Sequence, residues 1–598
     1  MQQSNAQKQA VCHVTGPMLV LAGPGSGKTF TITERVKHLV TDMQIKPENI
    51  MVVTFAKAAA VEMRERYLLS GAPKGVLFGT FHSIFFSILK HAYGYSVSDV
   101  VTADEQRQFV QRMTGSSDEV NNILGEISKV KSEQYNINEY YPVSCAIDLF
   151  RDIYISYEKW LKQNRKIDFD DMINYTYELF DARKDILSAY QERYKYILVD
   201  EFQDINYAQY RVLKQLAAKY RNLFVVGDDD QSIYGFRESK PELMLNFKNE
   251  YPDAKEVLLN INYRCASDIV ESAKKLISHN KVRFEKEISA GGKVEGCIEV
   301  NEFADLKMQN NYVVDMIKKY HDAGNAYADF AILYRTNVQP QALLHKLLEY
   351  NIPVRLKDGI PNIYEHWIAK DICAYIRLGM GFRDRATFER VMNKPTRYIS
   401  RAALDNKEIS FQKLAALYDD KYWMTDRIFQ FEDDVKALYK MAPCRGMRYI
   451  DKVVGYGDYL KEYAAEHGID PDNLREIYEQ LYEDASNFSN YEDWFAYMEN
   501  YDDCLEDNKT DDAVTLMTMH SSKGLEFENV IIVDVNEEIM PYKKAVKDKE
   551  IEEERRLFYV AVTRAKKRLH LLYVKHRYNH DFEPSRFLEE MEIIHHRP

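Results

Sequence analysis

The chain has 598 residues, with 80 Lys and Arg against 93 Asp and Glu, which gives a formal net charge of −13 at pH 7. This length exceeds what one hydrophobic core supports, so we expect several domains. Hydrophobic residues make up 45% and charged residues 29% of the chain, which excludes collagen-like, coiled-coil and wholly disordered proteins. The acidic balance argues mildly against a nucleic-acid partner, unless basic residues gather in a groove.

Cysteine usage and apolar runs constrain the compartment. The seven cysteines lie far apart and form no C-x-x-C pair, which disfavours zinc ribbons, iron–sulfur clusters and a disulfide framework. No apolar run approaches the roughly 18 residues of a membrane span, and the start of the chain lacks the basic and apolar regions of a signal peptide. These patterns predict a cytoplasmic protein with no membrane partner.

Two sets of short apolar runs, each bounded by turn residues, predict buried parallel strands in two α/β lobes. The first set comprises 18–21, 50–54, 196–199 and 223–226; the second comprises 330–334, 514–517, 530–533 and 569–573, with 256–259 leading into it. Within each set the apolar runs are interrupted by a long stretch of helical pattern, at about 87–167 in the first set and about 379–503 in the second. We therefore predict a first lobe of 1–86 and 168–259 with a helical insertion of 87–167, and a second lobe of 260–378 and 504–598 with a helical insertion of 379–503.

A glycine-rich loop follows the first predicted strand and precedes a helical stretch. It reads Ala22, Gly23, Pro24, Gly25, Ser26, Gly27, Lys28, Thr29. Glycines let the backbone curl so that its N–H groups face phosphate oxygens, while the lysine reaches the β- and γ-phosphates and the threonine a Mg²⁺ ion. A chance glycine turn is the alternative, but the strand–turn–helix context favours a phosphate loop.

Two other strands end in acidic residues. Asp200 and Glu201 directly follow the run 196–199, at the edge where α/β sheets bind ligands. Asp200 is a candidate metal ligand and Glu201 a candidate for polarising the attacking water, although acidic residues after strands also cap helices. Gln231 follows Gly227 and three aspartates and is predicted to sense the γ-phosphate.

Six motifs then occur in order along the chain: ILVDEFQDIN, VVGDDDQSIYGFR, LNINYRC, AILYRTN, LMTMHSSKGLEFENVIIV and EEERRLFYVAVTRAK. In this order and spacing the chain resembles the UvrD/PcrA/Rep-like superfamily one DNA helicases over nearly its whole length. The resemblance implies two RecA-like P-loop NTPase lobes, each with a mainly helical insertion, and ATP bound between them.

The resemblance also implies nucleotide contacts. Gln7 matches the glutamine that reads adenine, and Tyr263 matches the aromatic residue that stacks on it. Arg264 and Arg564 match the two arginines that reach across the interlobe cleft to the γ-phosphate, an arginine-finger role. Glu526 matches the ribose contact.

Contacts to single-stranded DNA are implied at nine positions: Phe55, Thr80, His82, Tyr234, Phe236, Arg237, Arg335, Asn337 and His520. Such binding combines phosphate contacts with aromatic platforms for successive bases. The alternative for Phe55 is a core aromatic residue. The segment 395–400 lacks two glycines expected from the resemblance, so we predict a weaker duplex contact by the second insertion. No extended C-terminal tail follows Arg586, and partner docking through such a tail is not expected.

We therefore predict an ATP- and Mg²⁺-dependent 3′-to-5′ translocase and helicase that acts on single-stranded and 3′-tailed duplex DNA. It is expected to act in DNA repair, replication or recombination. A nuclease or a repair or replication factor is a possible protein partner. Two alternatives stay open. The chain could be a helicase-like ATPase subunit that regulates a separate nuclease in a phage-defence system, or a translocase that strips protein filaments from DNA. Unwinding of a tailed duplex by the purified protein alone would oppose the nuclease-regulating alternative.

Overall fold

A computed structural model describes residues 3–115, 120–235, 238–292, 296–337, 339–359, 362–404, 407–467, 470–501, 510–577 and 580–594. The chain forms two compact units. The first comprises 1–297, 544–567 and 587–598, and the second comprises 298–543 and 568–586. Within the described ranges no helix is long and apolar enough to cross a membrane.

Strands and helices alternate through both units. The strands are β1 (Met18–Ala22), β2 (Ile50–Thr54), β3 (Leu77–Thr80), β4 (Tyr196–Val199), β5 (Leu223–Gly227), β6 (Lys255–Leu259), β7 (Ile261–Asn262), β8 (Ser289–Ala290), β9 (Cys297–Asp305), β10 (Phe330–Tyr334), β11 (Val354–Leu356), β12 (Val514–Thr518), β13 (Phe527–Ile532), β14 (Ala565–Arg577) and β15 (His580–Asp581). The α-helices are α1 (Asn5–Cys12), α2 (Lys28–Thr41), α3 (Lys57–Leu69), α4 (Phe81–Tyr93), α5 (Ala103–Thr114), α6 (Val120–Glu133), α7 (Ile147–Gln163), α8 (Phe169–Ala182), α9 (Lys184–Arg193), α10 (Tyr207–Ala217), α11 (Pro241–Leu245), α12 (Phe247–Glu250), α13 (Ser267–Ser278), α14 (Leu306–Asp322), α15 (Gln341–Glu349), α16 (Trp367–Gly379), α17 (Arg385–Val391), α18 (Phe411–Ala416), α19 (Tyr422–Leu438), α20 (Pro443–Lys452), α21 (Tyr456–His467), α22 (Pro471–Ala485), α23 (Tyr491–Glu499), α24 (Asp548–Val562) and α25 (Arg586–Glu590).

The first unit is built on a six-stranded sheet in the order β3-β2-β4-β5-β1-β6, whose neighbouring strands are all parallel. Its four central strands β1, β2, β4 and β5 are buried on both faces. Leu19 and Leu21 of β1 pack into one hydrophobic cluster, whereas Met18 and Val20 pack into another. Burial of both faces explains why these strands are continuous apolar runs without alternation.

The second unit contains a seven-stranded sheet in the order β11-β12-β10-β13-β14-β15, with β9 also paired to β14. Strands β11, β12, β10 and β13 run parallel, and β15 is antiparallel to β14. One hydrophobic core extends from Ile332 of this sheet to Phe431 and Trp494 in the helices of the second insertion. The insertion therefore packs as part of this unit.

The run 256–259 is a strand as predicted, and it belongs to the first sheet. It forms β6, which pairs with β1 from Met18↔Lys255 to Ala22↔Leu259. Residues 260–297 and 544–567 also belong to the first compact unit, whereas they were predicted to be part of the second lobe. The lobe boundaries themselves stay a prediction.

Candidate active site

The strand order of the first sheet brings three loops together. Strands β4, β5 and β1 are neighbours, with Val199 opposite Val225 and Leu21 opposite Gly227. Because parallel strands end at the same edge, the segments that follow them meet there. These segments are the glycine-rich loop, Asp200–Glu201 and 228–231.

The glycine-rich loop has the backbone that its sequence predicts. Ala22 is the last residue of β1, followed by Gly23 and Pro24. Gly25 and Gly27 adopt φ angles of 63° and 82°, in the left-handed region that favours glycine. A Cβ on Gly25 would lie 2.6 Å from the Cβ of Arg264, so that position has no room for a side chain.

Gln7 and Tyr263 are both held against this loop. The buried Gln7 amide donates a hydrogen bond from Nε2 to the Ser26 carbonyl at 3.1 Å. The Tyr263 backbone N–H donates to the Gly25 carbonyl at 3.0 Å, and the Tyr263 ring is partly exposed. The structure thus places both predicted adenine contacts beside the phosphate loop.

Lys28, the first residue of α2, forms an ion pair with Glu201, with 2.9 Å between Nζ and Oε2. Burial acts to lower the pKa of Lys28, but the negative charges of Glu201, Asp200 and Asp228 outweigh it and raise that pKa above its usual value. Gln203 donates to the same Glu201 oxygen at 2.6 Å. Glu201 has a left-handed φ of 50°, and such strained backbone is found preferentially at functional sites.

Asp200 and Thr29 fit a magnesium site by the chemistry of their donors. The Asp200 carboxylate is buried at the end of β4 and lies close enough to Lys28 to raise its pKa. Thr29 follows Lys28 in the first turn of α2. A carboxylate and a hydroxyl are the hard oxygen ligands that Mg²⁺ prefers.

The neighbouring aspartates are compensated by a buried lysine. Asp228, Asp229 and Asp230 converge, and Lys286 Nζ lies 2.5, 2.6 and 2.7 Å from one oxygen of each. Arg283 binds Asp230 through two hydrogen bonds of 2.8 and 2.7 Å. An ammonium group therefore occupies the place where the aspartates converge. Lys286 and Arg283 were not predicted, because nothing in the sequence pairs them with residues more than fifty positions away.

Gln231 lies between Asp228 and Arg564. Its amide donates from Nε2 to Asp228 at 2.6 Å, and its Oε1 accepts a hydrogen bond from Arg564 Nη2 at 3.4 Å. Burial, followed by the positive charge of Arg264, lowers the pKa of Arg564 to about 9. Arg264 donates to the Thr563 carbonyl at 3.4 Å. Both predicted arginines thus belong to the unit that carries the phosphate loop.

Aromatic residues follow two further strands of the first sheet. Phe55, after β2, stacks on Tyr234 with ring centroids 5.2 Å apart and 13° between planes. His82 makes an edge contact with the exposed ring of Phe169, at a centroid distance of 5.4 Å, a neighbour that the sequence analysis did not identify. The Thr80 hydroxyl caps α4 by accepting the Ser83 N–H at 3.3 Å.

The remaining predicted DNA contacts lie at the edge of the second sheet or outside the described residues. Strands β10 and β12 pair in parallel and end with Tyr334 opposite Thr518, so Arg335 and His520 follow neighbouring strand ends. The Arg335 guanidinium lies 5.1 Å from the ring centre of Tyr542. Three further predicted residues are placed as follows: Asn337 is two positions beyond Arg335, and Phe236 and Arg237 lie outside the described residues.

Glu526, the predicted ribose contact, directly precedes β13 in the second unit. The loop residues Gly25 and Lys28 belong to the first unit. The nucleotide-binding role of Glu526 therefore stays a prediction.

Comparison with known proteins agrees with these features. Residues 3–252 match the UvrD/REP helicase N-terminal domain, and residues 257–576 match the UvrD-like helicase C-terminal domain. The chain is 34% identical to the putative ATP-dependent DNA helicase YjcD of Bacillus subtilis, over 97% of this chain and 80% of that protein. It is 33% identical to the ATP-dependent DNA helicase PcrA of Leuconostoc citreum, over 98% and 84% of the two chains. The PcrA of Staphylococcus epidermidis is 31% identical, over 98% and 86%.

Proposed function

Because the chain belongs to the UvrD/Rep family of DNA helicases, we propose that it couples ATP hydrolysis to 3′-to-5′ movement on single-stranded DNA and to unwinding of 3′-tailed duplexes. The observation that carries this proposal is the 2.9 Å ion pair between Lys28 and Glu201. It joins a phosphate-loop lysine to a carboxylate that follows β4 of the same sheet. A phosphate-binding lysine and a group that orients the attacking water are the parts that nucleoside triphosphate hydrolysis uses. The 3′-to-5′ direction rests on the family resemblance alone.

The ion pair suggests how ATP activates the site. The β- and γ-phosphates of ATP compete for the Lys28 ammonium, which is a stronger partner for phosphate oxygens than for a single carboxylate. Glu201 then accepts a hydrogen bond from the attacking water, while Gln203 donates to Glu201 Oε2 at 2.6 Å. The water oxygen bonds to the γ-phosphorus and its proton passes to Glu201, while the bond between the γ-phosphorus and the β–γ bridging oxygen breaks. ADP and phosphate then leave.

Magnesium would be held by Asp200 and Thr29, and when bound it would neutralise charge on the phosphate oxygens. The chain itself supplies the remaining positive charge. Arg564 and Gln231 already lie 3.4 Å apart, and Arg264 packs against Gly25 of the phosphate loop. We assign both arginines to stabilisation of the charge that develops on the transferred phosphoryl group.

A single loop links the nucleotide site to the DNA. Gln231 and Tyr234 are three residues apart after β5, and Tyr234 stacks on Phe55. A shift of Gln231 on hydrolysis would therefore move an aromatic pair on which a base can stack. Such stacking is independent of base sequence, which suits a motor that moves along any strand. We place the protein in the cytoplasm, in DNA repair, replication or recombination.

The test is ATP turnover with and without single-stranded DNA. Glu201→Gln and Lys28→Ala should each reduce DNA-stimulated turnover by about a hundredfold or more, since each removes one positioned charge from the transition state. Glu65→Gln, an exposed glutamate on α3, is the matched control and should hydrolyse ATP like the wild type. Undiminished turnover in Glu201→Gln would refute its role towards water, and turnover indifferent to DNA would refute the coupling.

A further inference from the structure

The second insertion exposes a cluster of aromatic rings around one arginine. Tyr398 is 65% exposed and Trp423 is 50% exposed, and their ring centroids lie 6.2 Å apart in an edge-to-face contact. The Arg427 guanidinium lies 5.4 Å from the centre of the Tyr398 ring and 5.1 Å from that of Trp423. We call these three residues the aromatic platform.

The loop that carries Tyr398 is held in place by hydrogen bonds of its neighbouring residues. Arg397 is buried and donates from Nη1 to the carbonyls of Val391 and Met392, both at 3.2 Å. Asn393 and Ile399 exchange two hydrogen bonds, at 2.9 and 3.0 Å. The ring of Tyr398 therefore projects into solvent from a fixed loop, and fixed aromatic residues bind partners with little loss of conformational entropy.

Tyr398 also occupies a conformation that is costly for its residue type. Its φ is 62°, in the left-handed region that bulky residues rarely adopt. Exposed tyrosine gains no core packing that would offset this cost. Such strain is retained mainly at functional positions, so the exposed ring is the feature that needs an explanation.

The chemistry of the platform suits an unpaired nucleobase. Flat aromatic faces next to a guanidinium stack with bases and also reach their phosphates. The segment 381–404 carries six Lys and Arg and two Asp and Glu, a net charge of +4, in a chain of net charge −13. Arg390 and Lys394 of this segment pair with the buried Asp371, and Arg397 is itself buried. The exposed Arg427 therefore supplies the positive charge beside the two rings.

We propose that the aromatic platform is a second DNA contact, at which an unpaired base stacks on Tyr398. This inference rests on the proposed action on DNA and adds a site outside the nine predicted contacts. The two glycines missing from 395–400 were predicted to weaken a backbone contact to duplex DNA. On this proposal the same loop instead supplies a stacking surface for single-stranded DNA.

The experiment measures affinity of the full chain for a single-stranded oligonucleotide and for a strand of the same length with abasic sugars. Tyr398→Ala should weaken binding of the normal strand by about tenfold, the range expected for one lost base stack, and should leave the abasic strand unaffected. The slope of log affinity against log salt should stay unchanged, because a stacked base releases no counterions. Tyr439→Ala, which removes a tyrosine 64% exposed just beyond α19, is the matched control and should bind like the wild type.

A second variant separates stacking from folding. Tyr398→Gly removes the ring and relieves the left-handed φ, so its unfolding midpoint should rise while its affinity for the normal strand falls as in Tyr398→Ala. Trp423 reports directly: DNA should quench the fluorescence of the wild type more than that of Trp423→Phe.

Three results would overturn the proposal. Unchanged binding in both Tyr398 variants would refute the site, and equal losses on normal and abasic strands would show a phosphate contact or a folding defect instead of stacking. A change in oligomeric state without a change in DNA affinity would show a protein interface. A wild type that neither binds DNA nor hydrolyses ATP in response to it would instead refute the proposed function.

Discussion

Lys286→Met tests whether Lys286 stabilises the acidic triplet Asp228, Asp229 and Asp230, because it removes the cation that these three buried carboxylates share. Asp228, Asp229 and Asp230 are each at most 2% exposed, and Arg283 would remain as a partner of Asp230 only. Breaking a buried ion pair by removing one partner costs about 3–5 kcal/mol. We expect a loss of that size in the free energy of unfolding of the first unit.

The loss should depend on pH. Burial already raises the pKa of Asp229. Removal of the Lys286 charge should raise the folded-state pKa of the carboxylates further, so that they bind a proton more readily. A folded state that binds more protons than the unfolded state gains stability as the pH falls. Urea unfolding followed by circular dichroism at about pH 8 and about pH 5.5 should therefore show the deficit of Lys286→Met shrinking at the lower pH.

Lys274→Met is the matched control. Lys274 pairs with Glu287 at the surface, and such pairs contribute about 0–1 kcal/mol. A Lys286→Met variant that is as stable as this control, or whose deficit grows as the pH falls, would refute the account of the triplet.

Three further predictions concern single positions. Gly25→Ala should abolish ATP binding, measured by equilibrium titration, because its Cβ would lie 2.6 Å from the Cβ of Arg264 at a left-handed φ. Burial and the charge of Asp168 raise the pKa of Asp171 to about 8, against the opposing effect of the Lys131 ammonium 2.6 Å from its carboxylate. The wild type should therefore lose stability relative to Asp171→Asn as the pH rises from about 4 towards about 8 in urea unfolding, since the protonated form is the one that the fold favours. Arg564→Lys should lower turnover by about a thousandfold in single-turnover assays while ATP affinity changes less, because lysine does not reproduce the guanidinium geometry.

The buried strands could be predicted closely from the sequence. The runs 50–54, 196–199 and 330–334 have the bounds that the structure shows, because strands buried on both faces are continuous apolar runs between turn residues. Strands β3 and β9 were not predicted, because their residues are mostly only half-buried and therefore do not form a continuous apolar run. The pairing of β6 with β1 was not predicted, because it joins segments more than two hundred residues apart and has no signature in the local sequence.

The candidate site could be predicted where a motif carries its own geometry. The phosphate loop needs glycine at two left-handed positions, so its residues are readable in order along the chain. The buried ion pairs of Lys286 could not be predicted, because an isolated lysine is normally a solvated surface residue. Its three partners are also 56–58 positions away in the chain. The left-handed φ of Tyr398 could not be predicted either, because tyrosine rarely adopts that conformation.

Displacement of streptavidin from biotinylated oligonucleotides measures ATP-driven movement in one direction along a DNA strand. A 3′-to-5′ motor should release streptavidin from the 5′ end in an ATP-dependent manner, with no release above background from the 3′ end. Glu201→Gln should release streptavidin from neither end. Release from the 3′ end alone, equal release from both ends, or no release despite DNA-stimulated ATP hydrolysis would contradict 3′-to-5′ movement.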